Sequence, residues 1–163
     1  MGPAIDSRAF REAMGCFATG VTVVTAVGPG GELLGITANS FNSVSLEPPM
    51  VLFSLARHAF SLKGFEASRH FAVNVLHEDQ AELSSTFATA LTDKWAGVEY
   101  ETWETGCPIL PGALAVFECA TRFRYEGGDH VIFVGEVTRM ETDFTGRPLL
   151  YFQETYRELD GDA

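Results

Sequence analysis

The chain is poor in the residues that build metal centres and disulfide frameworks. Its 163 residues include three cysteines, and no two of them form a Cys-x-x-Cys pair. The four histidines show none of the spacings typical of zinc ligands, which need several closely set thiolates or imidazoles. We therefore expect no disulfide framework and no metal, and unpaired thiols are typical of a reducing cytoplasm.

Positive charge is equally scarce. The formal net charge is −11, and the only lysines are Lys63 and Lys94. Such a surface repels nucleic-acid phosphates and anionic lipids, so neither is an expected partner. The N-terminal residues form no apolar signal segment, and no apolar run is long enough to cross a bilayer. A phosphorylated ligand would need a local cation, although residue type alone favours solvent-exposed positions for both lysines.

Several common enzyme motifs are also missing. Gly28, Gly30 and Gly31 begin a G-x-G-x-x-G pattern, but Leu33 stands where its third glycine belongs, so a turn is indicated. No P-loop, His-Glu-x-x-His motif or Gly-x-Ser-x-Gly nucleophile sequence occurs. An enzyme with this sequence would therefore take its chemistry from a cofactor.

Runs of β-branched and aromatic residues dominate the chain. They predict strands at 21–27, 33–41, 50–55, 70–76, 113–125, 131–140 and 149–152, the run at 50–55 being fully apolar. Helices are predicted from Asp6 or Ser7 to a stop at Gly20, and over 60–67 and 78–90. Because the strands follow at hairpin spacing, we expect a mainly β fold, an antiparallel barrel with peripheral helices.

The length of the chain predicts a single domain over residues 1–163. We expect its ends, residues 1–9 and 157–163, to be flexible. Residues 94–111 carry glycine and prolines and predict an irregular loop of the kind that is often functional. The residues after the last predicted strand form a polar tail.

Hydroxyl and amide side chains crowd the end of the second predicted strand, within residues 35–49. Unpaired polar groups are costly inside a barrel, so this stretch predicts either a turn or a ligand site. Composition alone leaves both interpretations open. A flavin would suit a ligand site well, since its pyrimidine edge offers donors and acceptors that match short polar side chains and backbone amides.

The same stretch resembles the signature of the flavin reductase family, whose members have an FMN-binding split β-barrel, an antiparallel Greek-key barrel, and serve two-component monooxygenases. The resemblance covers nearly the whole chain, from residue 10 to residue 156. Its other motifs are Thr-Gly-Val-Thr-Val-Val-Thr at 19–25, Phe-Ala-Val-Asn-Val-Leu at 71–76, Phe87 followed by Lys94, and Gly-Asp-His at 128–130 leading into Ile-Phe-Val-Gly-Glu-Val at 132–137.

The resemblance implies a set of cofactor-binding residues. Those implied for the flavin are Thr37, Ala38, Asn39, Ser40, Ser54, Leu55, Ala56, Ser61, Phe87 and Lys94. Within this set, Lys94 is implied to neutralise the flavin phosphate. His130 is implied to contact the nicotinamide, although a histidine in a turn is otherwise more often only solvent-exposed. No protein acid or base is expected, because the hydride passes directly between the cofactors.

The implied function is reduction of free FAD or FMN by NADH or NADPH, by a cytoplasmic homodimer that supplies reduced flavin to a partner monooxygenase. The acidic composition favours NADH. Two alternatives remain at this point: a non-catalytic FMN-binding module, and a pyridoxamine-phosphate-oxidase-type flavoprotein with tightly bound FMN. His130 favours the reductase. Asn42, Phe53 and Trp95 depart from the residues usual in the family, so the choice between FAD and FMN stays open.

Overall fold

The fold was obtained as a computed structural model that describes residues 2–90 and 93–160. The helices are α1 Ser7–Met14, α2 Leu62–Ala67 and α3 Ala81–Ala88, the last preceded by a 3-10 turn at Glu78–Gln80. The strands are β1 Thr19–Gly20, β2 Thr22–Val27, β3 Leu33–Ala38, β4 Asn42–Leu46, β5 Pro49–Ala56, β6 His70–Val75, β7 Glu101–Thr102, β8 Pro108–Ile109, β9 Ala115–Gly127, β10 His130–Thr142, β11 Leu150–Phe152 and β12 Thr155–Arg157.

Seven strands form one antiparallel sheet in the order β3-β2-β6-β9-β10-β5-β4. Its edge strands, β3 and β4, follow one another in the chain. Ser40, between them, spans the opening: its hydroxyl accepts from the backbone N–H of Ser54 at 2.9 Å and donates to the Ser54 carbonyl at 3.3 Å. The sheet therefore curls into a barrel that a side chain bridges at its split, which confirms the expected antiparallel split barrel.

Phenylalanine rings fill the inside of this barrel. Phe53 is fully buried, stacks on Phe133 with centroids 5.0 Å apart, and meets Phe71 and Phe65 edge-on. The strand predicted at 50–55 is present, but only alternate residues of β5 point inward, because successive side chains of a strand face opposite sides. The outward residues of β5 are thereby free to contribute to a site.

A second apolar cluster lies outside the barrel, where α3 packs against β3. Phe87 of α3 is buried there with Val21, Val23 and Leu76. The hydroxyl of Thr37 donates to the Ser84 carbonyl of α3 at 2.6 Å. These contacts confirm the predicted apolar face of the 78–90 helix and hold α3 beside the end of β3.

Helix α1 begins as predicted, because the Asp6 carboxylate accepts from the Ala9 N–H at 2.9 Å. The predicted stop at Gly20 is wrong: α1 ends at Met14, and Thr19–Gly20 instead pairs with β11. Gly15 is the C-cap of α1, and its carbonyl accepts from the Gln153 N–H at 3.0 Å, so the helical spacing that extends to Phe17 does not continue the helix. No residue of α1 is buried in the chain.

Three other sequence expectations need correction. The second predicted strand ends at Ala38, where its pairing with β2 stops, and Asn42–Leu46 forms a separate strand that pairs with β5. The expected irregular loop contains the β7–β8 ladder. The expected polar tail contains β12, which pairs with β11. Residues 1 and 161–163, part of the ends expected to be flexible, lie outside the described residues.

Among the helices that the described residues form, none has both the length and the hydropathy to cross a membrane.

Candidate functional site

The outer face of β5 and β10 brings together residues from distant parts of the chain. In the antiparallel register, His130 lies opposite Ala56 and Ile132 lies opposite Ser54. Facing residues of an antiparallel pair share one side of the sheet, with Cα atoms about 4.5–5.5 Å apart. His130, Ser54 and Ala56 therefore line one outer surface, which unites the predicted nicotinamide contact with two predicted flavin residues.

The polar stretch after β3 joins this surface through Ser40. Both hydrogen bonds of its hydroxyl go to the backbone of Ser54. Asn39 is exposed beside it, and the side chains of Asn39 and Ser54 make no hydrogen bond to the described residues. The side chains of Asn39 and Ser54 are thus available to a ligand, while the Ser40 hydroxyl is already bonded to the backbone of β5.

Two predicted flavin residues point the other way. Leu55 is buried in the barrel core, and Ala38 packs against the same core. The Ala38 carbonyl also accepts from the Thr22 hydroxyl at 2.6 Å. A ligand on the outer face can therefore meet these residues only through backbone atoms.

Phe87 lies behind the site. Its exposed fraction is 0%, and its ring meets Trp95 edge-on at 4.8 Å between centroids. A Cβ on Gly35 would come within 2.5 Å of this ring, so glycine is needed there for α3 to approach β3. The structure thus shows Phe87 packing inside the protein; contact with a flavin stays a prediction that this burial does not support.

Lys94 performs a structural task that sequence reasoning missed. Its ammonium donates to the Phe87 carbonyl at 2.8 Å and the Gly35 carbonyl at 3.4 Å, which ties the C-terminal turn of α3 to β3. Burial lowers the pKa of this ammonium below its ordinary value. Because an ammonium has three donors, one remains for a phosphate. Lys63, by contrast, is exposed on α2.

Ser61 stands at the N-terminal cap of α2, where its side chain makes no capping hydrogen bond. Its hydroxyl has no partner among the described residues. It is therefore a further neutral donor, five residues beyond the end of β5.

His130 begins β10 at the tip of the β9–β10 hairpin. A two-residue turn joins the strands, and Gly128 takes the positive φ of 66° that a type II′ turn requires at its first position. The His130 Nδ1 lies 2.7 Å from the Asp129 carboxylate. This hydrogen bond and the histidine's charge hold the pKa of Asp129 below its usual range. In neutral His130 the proton therefore sits on Nδ1, which leaves Nε2 as an acceptor.

Arg57 is the site-adjacent residue that sequence reasoning did not find. Its backbone N–H donates to the Asp129 carbonyl at 2.8 Å, and its Nε donates to the Gly128 carbonyl at 3.0 Å. The one signal for it in the sequence is its position directly after Ala56.

The sequence of this chain matches a known protein family over most of its length. The family described as flavin reductase like domain matches residues 14–160. The chain belongs to the flavin reductase family.

Individual relatives within the flavin reductase family agree. The reductase subunit HsaB of a flavin-dependent monooxygenase from Mycobacterium tuberculosis is 38% identical over 162 residues, which are 98% of this chain and 86% of that protein. The stachydrine N-demethylase reductase subunit Stc3 of Rhizobium meliloti is 46% identical over 137 residues, 84% of this chain. The chain spans 60% of that relative's length and 44% of a second one from the same organism.

Among solved structures, the NADH:FAD oxidoreductase SgcE6 of Streptomyces globisporus, in complex with NAD and FAD fragments, superposes with a TM-score of 0.91. It is 38% identical to this chain, and the match covers 99% of both chains. This likeness covers the whole barrel, as does the family match over residues 14–160.

The donors among the predicted flavin-binding residues fit, by their chemistry, the flavin that the family implies. Neutral donors without internal partners, on Asn39, Ser54 and Ser61, suit the carbonyl and ribityl oxygens of a flavin. The third donor of the Lys94 ammonium suits its phosphate. One cation and several neutral groups match a flavin nucleotide, whose charge lies at its phosphate end.

Proposed function

We propose that this flavin reductase family member uses NADH to reduce free FAD or FMN and supplies the reduced flavin to a partner monooxygenase. The observation that carries the proposal is the β5–β10 register, which sets His130 beside Ser54 and Ala56 on one outer face. Relatives named as reductase subunits, and a solved relative in complex with NAD and FAD fragments, support it.

In this proposal the flavin supplies the redox chemistry by accepting a hydride from the reduced nicotinamide. The chain supplies orientation, which is worth most when the donors are held on rigid strands. Asn39 and Ser54 would bind the flavin's polar edge and ribityl chain, and Lys94 its phosphate. His130 would bind the nicotinamide carboxamide through Nε2. No side chain needs to move a proton for hydride delivery.

The charge distribution supports NADH over NADPH. A 2′-phosphate needs a free cation, and the net charge of the chain is −11. Arg57, beside His130, already donates to Gly128 and pairs with Glu126 at 3.3 Å. The neutral donors suit FMN and FAD equally, so we propose both as substrates.

We further propose a cytoplasmic homodimer with sites at its interface. Phe123 and Tyr125, exposed by 49% and 53%, stack on each other and lie opposite Val134 and Ile132 on the face that carries His130. A second copy that covers these rings would bury apolar surface and enclose the site. Light scattering on the purified chain tests this assembly.

One assay tests the activity. The purified chain is mixed in air with NADH or NADPH and with added FAD, FMN or riboflavin, and nicotinamide oxidation is followed. We expect rapid oxidation of NADH that requires added flavin. Absence of turnover with every pair would refute the reductase and favour the non-catalytic FMN-binding module. Turnover without added flavin would instead indicate a tightly bound prosthetic group, as in the oxidase alternative.

A further inference from the structure

Arg57 fastens the tip of the β9–β10 hairpin to the end of β5. The β5–β10 ladder ends at the Ala56–His130 pair, and Arg57 is the next residue of the chain. Its two hydrogen bonds reach both residues of the turn, at the carbonyls of Gly128 and Asp129.

The sequence of the β9–β10 hairpin tip makes its backbone flexible unless other residues restrain it. Gly127 and Gly128 lack side chains and are exposed, and the turn extends beyond the sheet. Glycine gives the backbone more conformational freedom than any other residue. Two hydrogen bonds from a residue anchored by the β5 ladder therefore restrict the turn where its own sequence is most permissive.

The restriction passes from the turn to His130. The main-chain N–H of Arg57, which any residue at this position would keep, donates to the Asp129 carbonyl, while the Arg57 side chain holds the adjoining Gly128 carbonyl. The Asp129 carboxylate in turn lies 2.7 Å from Nδ1 of His130. The orientation of the imidazole thus depends on where Asp129 sits. Arg57 acts at the start of this series of contacts, while itself donating to no atom of His130.

We propose that Arg57 is a positioning residue for nicotinamide binding: its guanidinium holds the Gly128 carbonyl and so fixes the Gly128–Asp129 turn, in which Asp129 holds the His130 ring with Nε2 presented to the outer face. The inference rests on the proposed contact between His130 and the nicotinamide, and it adds a residue outside the binding surface on which that contact depends.

The ion pair between Arg57 and Glu126 is not the important contact. The Glu126 side chain is 90% exposed and the pair is 3.3 Å apart, and exposed pairs of this kind contribute little. Glu126→Gln should therefore leave nicotinamide binding unchanged. Removing the guanidinium, whose Nε donates to the Gly128 carbonyl, should weaken nicotinamide binding.

The test compares Arg57→Met with Arg139→Met. Arg139 has a similar exposed fraction, 40% against 43%, and pairs with Glu141 at 2.8 Å, but it lies about 30 Å farther along β10. We expect Arg57→Met to raise both the KM for NADH and the calorimetric Kd for NAD⁺ about tenfold, the equivalent of one lost hydrogen bond to a charged group. The KM for flavin should stay unchanged, and Arg139→Met should change none of these constants.

The double variant Arg57→Met/His130→Ala separates positioning from general damage. If Arg57 acts through His130, the double variant binds NAD⁺ as weakly as His130→Ala alone. Fully additive losses, or equal increases in the KM values for NADH and flavin, would overturn the inference. The milder Arg57→Lys should lie between wild type and Arg57→Met; if Arg57→Met does not fold, an unchanged Kd in Arg57→Lys overturns the inference.

The variant His130→Ala distinguishes failure of the proposed nicotinamide contact from failure of the positioning role of Arg57. If it leaves the Kd for NAD⁺ unchanged, the proposed nicotinamide contact fails and the inference fails with it. If it weakens NAD⁺ binding while Arg57→Met does not, the inference about Arg57 alone is refuted. Histidine-selective ¹⁵N NMR supplies an independent readout: the Nδ1–H tautomer of His130 should dominate in wild type and be lost in Arg57→Met.

Discussion

Replacing Lys94 with methionine should separate the structural task of this side chain from its proposed contact with phosphate. Methionine keeps much of the apolar stem but removes all three donors of the ammonium. The Phe87 and Gly35 carbonyls would lose their donor in every state of the protein. A phosphate contact would be lost only when the ligand carries a phosphate.

The lengths of the two Lys94 hydrogen bonds determine how much stability Lys94→Met should lose. The 2.8 Å bond to Phe87 is a full hydrogen bond from a charged group, whereas the 3.4 Å contact to Gly35 is long. Burial also lowers the pKa of the ammonium, so removing the charge relieves some desolvation cost. We therefore expect a loss of about 1–2 kcal/mol in the free energy of unfolding, or about 2–8 °C in Tm. A phosphate contact of about 1.5 kcal/mol corresponds to about a tenfold change in KM.

The assay measures KM for FMN and for riboflavin, which lacks the phosphate, in wild type, Lys94→Met and Lys63→Met. Lys94→Met should raise the KM for FMN about tenfold and leave that for riboflavin unchanged. Lys63→Met, on exposed α2, should change neither. Equal increases for both flavins would refute the phosphate contact and leave Lys94 with its structural task alone.

The pH dependence supplies a second check on Lys94. Because burial lowers its pKa from 10.5, the ammonium loses its proton at a lower pH than an ordinary lysine. The preference for FMN over riboflavin should therefore decline as pH rises toward the ordinary lysine value, and should be absent at every pH in Lys94→Met. A preference that persists unchanged above pH 10.5 would contradict this assignment.

Three further predictions concern the core, the thiols and the hairpin turn. Phe53→Ala should lower the free energy of unfolding in urea by about 4–5 kcal/mol, since Phe53 contacts three other rings; a loss below about 2 kcal/mol would contradict such packing. A thiol reagent should label exposed Cys16 in the native protein, and Cys107 and Cys119 only after unfolding. Burial shields these two thiols and raises their pKa. Labelled thiols are counted by mass spectrometry, and rapid labelling of more than one in the native protein would contradict this prediction. Gly128 has a positive φ, so Gly128→Ala should lower the free energy of unfolding in urea by about 1–2 kcal/mol. The same variant should raise the KM for NADH but not the KM for flavin. An unchanged KM for NADH would argue against a role for the turn geometry.

Local signals in the sequence determined most of the strands and the two main hairpins. The glycine-rich turn at 28–31 and the Gly128–Asp129 turn lie where the residues predict them, because turn conformation depends on neighbouring residues. The hairpin spacing likewise predicted the antiparallel barrel. Resemblance to a known family, rather than periodicity, marked Ser54 and His130, and the register then placed them on one face.

Tertiary contacts decided what each marked residue does. Ser40 bridges the split to Ser54, Lys94 donates to carbonyls at two separate places in the chain, and Arg57 bonds to a turn 71 residues away. A sequence pattern reports which residues are polar, but it does not report which distant backbone group will satisfy them, since that depends on how the strands pair and close. Lys94 is one of two lysines in an acidic chain, which the sequence shows, but only the folded chain shows that two of its three donors are already in use.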